Sequence, residues 1–94
     1  MLFLFMYYVY ILKSVKFDKF YIGQTNDMVE RLRRHNAGME KFTSIYRPWK
    51  LVGYITKETR SEAMILETKL KNLNRQRLLS FIDKYLGIGG RDEA

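Results

Sequence analysis

Tyr10, Tyr21, Arg31, His35 and Glu67 are the side chains of this 94-residue chain whose types and order could do chemistry on a phosphate. A phenol titrates near 10, so a tyrosine serves as a base only where a cation or metal stabilises the phenolate. Arg31 could supply that field, or hold a phosphate in its planar fork of donors. Glu67 falls at the edge of an apolar helical stripe, between Ala63 and Leu70. A carboxylate there is costly unless it is ion-paired, solvated at the rim, or holding a hard cation. Each residue taken alone also has a plainer account. Buried tyrosines are ordinarily core residues with a hydrogen bond at the tip. Glu67 can pair with Lys71 or a nearby arginine, and the Arg31, Arg33, Arg34 cluster can be a solvated face. His35 is the only histidine, which excludes a histidine-rich metal site, and by itself it reads as a surface or capping residue.

Composition narrows the setting. Cysteine is absent, which removes disulfides, thiolate metal sites and cysteine nucleophiles together and suits a cytoplasmic protein. Seventeen Lys and Arg against ten Asp and Glu give a net charge of +7. Such an excess in so small a chain favours a polyanion, because lysine and arginine displace the counterions condensed on phosphates. Nucleic acid therefore ranks ahead of simple solubility as the reason for the charge. The length fits one domain over 1–94, with a core of about 7–86 and a flexible tail over 87–94. Residues 1–12 are apolar but have no basic leader and no small-residue cleavage site, and they are too short to span a bilayer as a helix. No membrane association is expected. Met6 is an alternative start, which peptides from residues 2–5 of the native protein would exclude.

The elements that must position the five residues can be read from periodicity and caps. The run Tyr7-Tyr8-Val9-Tyr10-Ile11-Leu12 is continuous and β-rich, as in a strand covered on both faces, and it places Tyr8 and Tyr10 on one side. After a polar loop, residues 20–24 form a second strand in an antiparallel hairpin, with Gly23 marking a close backbone approach. Asn26 or Asp27 caps a helix to about Ala37, with Glu30 completing a capping box and Gly38 as the stop. Val29 and Leu32 should face inward, while Arg31 and His35 share another face. Residues 39–47 form a short helix or turn anchored by Phe42, Ile45 and Tyr46. Pro48 precedes a third strand over 49–55. Thr59 and Glu62 open a helix to about Asn72, with an inward stripe of Ala63, Leu66, Leu70 and Leu73. A last helix over 75–86 carries Leu78, Leu79, Ile82 and Tyr85. The fold class is α+β: a small, mostly antiparallel three-stranded sheet flanked by helices, in the order β-β-α-(α)-β-α-α.

With that frame in place, Tyr8-Val9-Tyr10 followed a hairpin later by Tyr21-Ile22-Gly23 resembles the two-part signature of the GIY-YIG nuclease superfamily. Arg31 on the next helix and Glu67 on the later one take the expected places. His35-Asn36-Ala37-Gly38 and Tyr46-Arg47-Pro48-Trp49-Lys50-Leu51-Val52 look like the short, single-domain bacterial branch of predicted endonucleases. The resemblance implies that Tyr10 and Tyr21 help to deprotonate an attacking water and that Arg31 neutralises charge on the scissile phosphate. It implies that Glu67 holds one divalent ion, Mg²⁺ or Mn²⁺, and that His35 supports proton transfer or contacts phosphate. Two departures stand out. Tyr8 replaces the first glycine of the signature, and neither Asn72 nor Asn74 sits clearly where many relatives keep an asparagine after the glutamate.

Three functions follow as alternatives. A metal-dependent endonuclease acting on nucleic acid, with DNA the expected polymer, uses the whole set. A non-catalytic nucleic-acid-binding module needs only the basic face, and a carboxylate facing phosphates would repel its ligand. A protein-interaction domain would treat the tyrosines as core.

Overall fold

The computed structural model describes residues 6–86; the expected apolar extension over 1–5 and the expected tail over 87–94 lie outside them. The elements run β1 (Tyr7–Ser14), β2 (Phe20–Thr25), α1 (Met28–Asn36), α2 (Lys41–Ser44), β3 (Trp49–Lys57), α3 (Arg60–Lys71) and α4 (Arg75–Phe81). A π-helical segment, Ile82–Leu86, follows α4. This is the expected α+β order, with strands one or two residues longer than expected and the last helix changing its winding at Ile82.

The sheet is antiparallel throughout, with β1 between β2 and β3. Helices cover both faces of β1, so its sequence shows a continuous apolar run rather than alternation. Val9 and Ile11 point to one side, where Ile22, Ala63, Leu70 and Leu78 meet them from β2, α3 and α4. Tyr10 and Leu12 point to the other, where they pack with Trp49, Tyr21 and the α1 residues Met28 and Leu32. Successive β2 residues therefore serve different layers: Tyr21 belongs with α1, while Phe20 and Ile22 belong with α3. β3 carries one extra residue opposite the Ile11–Leu12 step, where Ile11 faces Gly53 and Leu12 faces Leu51.

The start of α1 explains a correction. The Asp27 side chain accepts the Glu30 N–H at 3.1 Å, so the helix begins at Met28. Met28, Leu32 and His35 then fall on the sheet side, four and three residues apart. Val29, expected to face inward, is turned outward and is 84% exposed. The segment after α1 corrects a second expectation. Phe42 and Ile45 are exposed, and α2 is held instead through Thr43, whose carbonyl accepts the Trp49 indole N–H at 2.9 Å. Asn36 ties α1 to the same strand, accepting the Trp49 N–H and donating to its carbonyl at 3.1 Å. Gly38 ends the turn after α1 with φ +78°, a conformation that favours glycine.

Candidate active site

Tyr10 stands at the centre of the middle strand, directly opposite Gly23 of β2. Its side chain is wholly buried, and its phenol lies across the glycine: a Cβ at position 23 would stand 2.5 Å from Tyr10 Oη. The tripeptide Tyr21-Ile22-Gly23 therefore has a steric logic, with the glycine leaving room for the tyrosine of the neighbouring strand. Tyr10 Oη is 2.9 Å from His35 Nε2. The reading of His35 as a surface or capping residue is corrected here: at 1% exposure it is among the most buried side chains of the protein. It lies seven residues beyond Met28 on the inward stripe of α1, a position set by where that helix begins.

The rest of the cluster gathers on this face. The half-buried Tyr21 ring lies 5.1 Å from the His35 ring and 6.3 Å from that of Tyr10. Burial pushes the Tyr10 phenol above its ordinary range and Tyr21 adds to the rise, while the nearby Arg31 guanidinium works against both. Burial also lowers the His35 pKa, so the imidazole is neutral near pH 7. Arg31 and Arg34 share one acidic neighbour, Glu40, at 4.0 and 2.9 Å. The Arg34 guanidinium holds the Glu40 carboxyl below the usual range. Arg33 belongs to a different surface, where it forks onto Glu30 at 2.9 and 2.7 Å.

Glu67 is held apart from this cluster. It accepts from Gln24 Nε2 at 2.9 Å and pairs with Lys71 at 2.9 Å. By strand alternation Gln24 lies on the α3 side with Phe20 and Ile22, so Glu67 approaches β2 from the face opposite Tyr10. Gln24 nevertheless directly follows Gly23, and β2 is an edge strand. Tyr10, Tyr21, Arg31 and His35 thus flank one side of that edge and Glu67 the other, one residue along. The Lys71 pairing foreseen as the plain account of Glu67 is present, with Gln24 added to it. Asn72 caps α3 and Asn74 caps α4 with its side chain, so both serve helix ends.

Three contacting residues gave no signal in the sequence. Thr43 and Glu40 sit in a polar stretch without periodicity and Gln24 at the polar end of the second strand, and only the folding of α2 against α1, or α3 against β2, brings them to the site. Among the described residues no group of three or more His, Cys, Asp or Glu is placed to hold a metal.

Comparison with known proteins assigns the fold and its lineage. A family profile described as the GIY-YIG catalytic domain matches residues 6–80. The chain belongs to the GIY-YIG family. A UPF0213 protein of Staphylococcus saprophyticus is 37% identical over 79 residues, which cover 83% of this chain and 95% of that protein. The UPF0213 protein YazA of Bacillus subtilis is 33% identical over 79 residues, covering 83% of this chain and 79% of YazA. The solution NMR structure of a UPF0213 protein from Bacillus halodurans aligns with a TM-score of 0.59 at 31% identity, covering 87% of each chain. This GIY-YIG domain thus resembles small bacterial proteins of its own length, and the α+β architecture is shared with them. Among the described residues no helix is long and apolar enough to cross a membrane.

Proposed function

We propose that this chain is a divalent-metal-dependent endonuclease that hydrolyses phosphodiester bonds of nucleic acid, DNA foremost, along the free edge of β2. The observation that carries the reading is the buried Tyr10–His35 pair, with Arg31 and Tyr21 beside it and Glu67 bonded to the adjoining β2 residue from the other face. Tyr21 is the half-buried phenol of the pair, and as a phenolate stabilised by a neighbouring cation it would receive the proton of an attacking water. Tyr10 and His35 are sealed beneath it and keep its surroundings polar. Arg31 reaches the phosphate once it leaves Glu40, and its fork opposes the charge that builds on the equatorial oxygens.

The donor set fits one Mg²⁺ or Mn²⁺. Such ions use oxygen ligands and keep several waters, bound through one or two carboxylates plus substrate phosphate. Glu67 offers the carboxylate, and Gln24 Oε1 beside it is a buried acceptor with no partner among the described residues. A bound ion would polarise a phosphoryl oxygen and stabilise the leaving group. To hold such an ion, Glu67 would give up its Lys71 pairing.

The deciding experiment is a cleavage assay with Mg²⁺ or Mn²⁺ over duplex, branched and single-stranded DNA and RNA. Wild-type cleavage should vanish in Glu67→Ala and fall by about a hundredfold or more in Arg31→Ala. A wild-type protein inert on every substrate overturns the reading. A second reading, a non-catalytic binding module, draws on the fact that Glu67 and Arg31 are each engaged by an opposite charge. It expects salt-sensitive binding without cleavage, unchanged or tighter in Glu67→Ala.

A further inference from the structure

Four consecutive hydrogen-bonding groups run inward from the candidate site, and the contacts of Thr43 favour one direction for their hydrogens. Thr43 Oγ1 lies 3.3 Å from the Glu40 carbonyl, which can only accept, so the hydroxyl hydrogen points there. Thr43 Oγ1 is also 2.7 Å from His35 Nδ1 and must accept at that contact, which places the imidazole hydrogen on Nδ1. A neutral imidazole has a single N–H, so Nε2 is bare and accepts the Tyr10 hydroxyl hydrogen at 2.9 Å. The remaining lone pairs of Tyr10 Oη then face the Arg31 guanidinium, a pure donor that is close enough to oppose the rise of the phenol. Reversing the chain would leave the Glu40 carbonyl without the Thr43 hydrogen and turn the Tyr10 hydrogen to the side where Arg31 can only donate. Tyr10, His35 and Thr43 are each at most 1% exposed, so no bulk water competes for these hydrogens.

We propose that Thr43 is a positioning residue: through the Nδ1–H tautomer of His35 it makes Tyr10 a donor inward and an acceptor toward Arg31, which steadies that guanidinium at the candidate site. Thr43 is buried, carried by the short helix α2, and acts only through His35 and Tyr10. The inference deepens the nuclease reading and rests on it only for the kinetic arm of its test. The first arm needs no substrate. As the chain has one histidine, long-range ¹⁵N–¹H correlation of labelled protein gives the tautomer without assignment ambiguity.

Wild-type protein should show a protonated Nδ1 and a bare Nε2, Thr43→Ser should keep that pattern, and Thr43→Val should lose it to a mixture or to the Nε2–H form. A wild-type protein found as the Nε2–H tautomer overturns the proposal, whatever the variants do. In the kinetic arm, Thr43→Val should lower kcat by at least about tenfold with little change in KM, while Thr43→Ser restores it. A Thr43→Val enzyme with wild-type kcat and an altered tautomer also overturns it. If wild-type protein cuts nothing, the nuclease reading fails while the tautomer assignment still stands or falls on the spectra.

Discussion

A methyl group at Gly23 would stand 2.7 Å from Tyr10 Cζ as well as 2.5 Å from its hydroxyl, inside van der Waals contact with a ring that His35 holds in place. Gly23→Ala should therefore destabilise the protein by about 1–3 kcal/mol, as overpacked cores do. Urea denaturation checks this, and the cost should shrink when Tyr10→Phe removes the nearest atom; equal costs in both backgrounds would place the clash elsewhere. The His35 imidazole gives a second expectation. The groups around it are Tyr10 from β1, Tyr21 from β2, Arg31 and Arg34 from α1, and Glu40 and Thr43 from the α2 side. Burial leads, so the folded pKa lies below the unfolded value near 6.5. The unfolded chain then binds the extra proton first, and stability present above about pH 6.5 is lost as pH falls toward the lower folded pKa. Denaturation midpoints should drop from pH 7.5 to pH 5.5 in wild type, and His35→Gln should flatten that slope. A slope unchanged in His35→Gln would assign it to another group.

The helices show which parts of the architecture sequence could disclose. Asp27 with Glu30 and Thr59 with Glu62 are contacts within one turn, and both N-cap bonds form, at 3.1 Å each, while the Glu30 side chain pairs with Arg33 instead of closing the expected box. Such local pairs are legible because nothing distant has to agree with them. The stripe of α3 was legible for the same reason, with Ala63 and Leu70 buried. The phase of α1 was not. Its start at Met28 turns His35 inward and Val29 outward, and only the docking of α1 on the sheet decides that. The companions of His35 were hidden as well, since Thr43 meets it across a turn and a separate helix. α1 presents both Arg31 and His35, so its first turn matters to the site. Asp27→Ala should cost about 1 kcal/mol through the lost cap. Thermal unfolding reads that cost, and Arg31-dependent cleavage should fall with it; a Tm unchanged in Asp27→Ala would show the cap to be idle.

The molecule as a whole is a polycation built around a thin sheet. Its charge of +7 should make nucleic-acid binding steeply salt-dependent, with log Kobs against log salt falling by roughly 0.9 per phosphate neutralised on duplex. Fluorescence anisotropy from low to moderate salt measures the slope. Arg31→Ala should flatten it by about one phosphate's share, and a salt-independent affinity would leave the charge without a role in binding. Large consequences also follow from the only tryptophan. Trp49 is buried between the Tyr21 and Tyr46 rings, at centroid distances of 6.2 and 6.3 Å. Indole emission responds to the immediate surroundings of Trp49, which lie in the α1 layer, so it follows that layer more closely than the α3 layer. The protein thereby carries an optical gauge for one half of itself. Set against circular dichroism, which sees every helix, it can tell whether the halves joined by β1 come apart together, as one cooperative unit should.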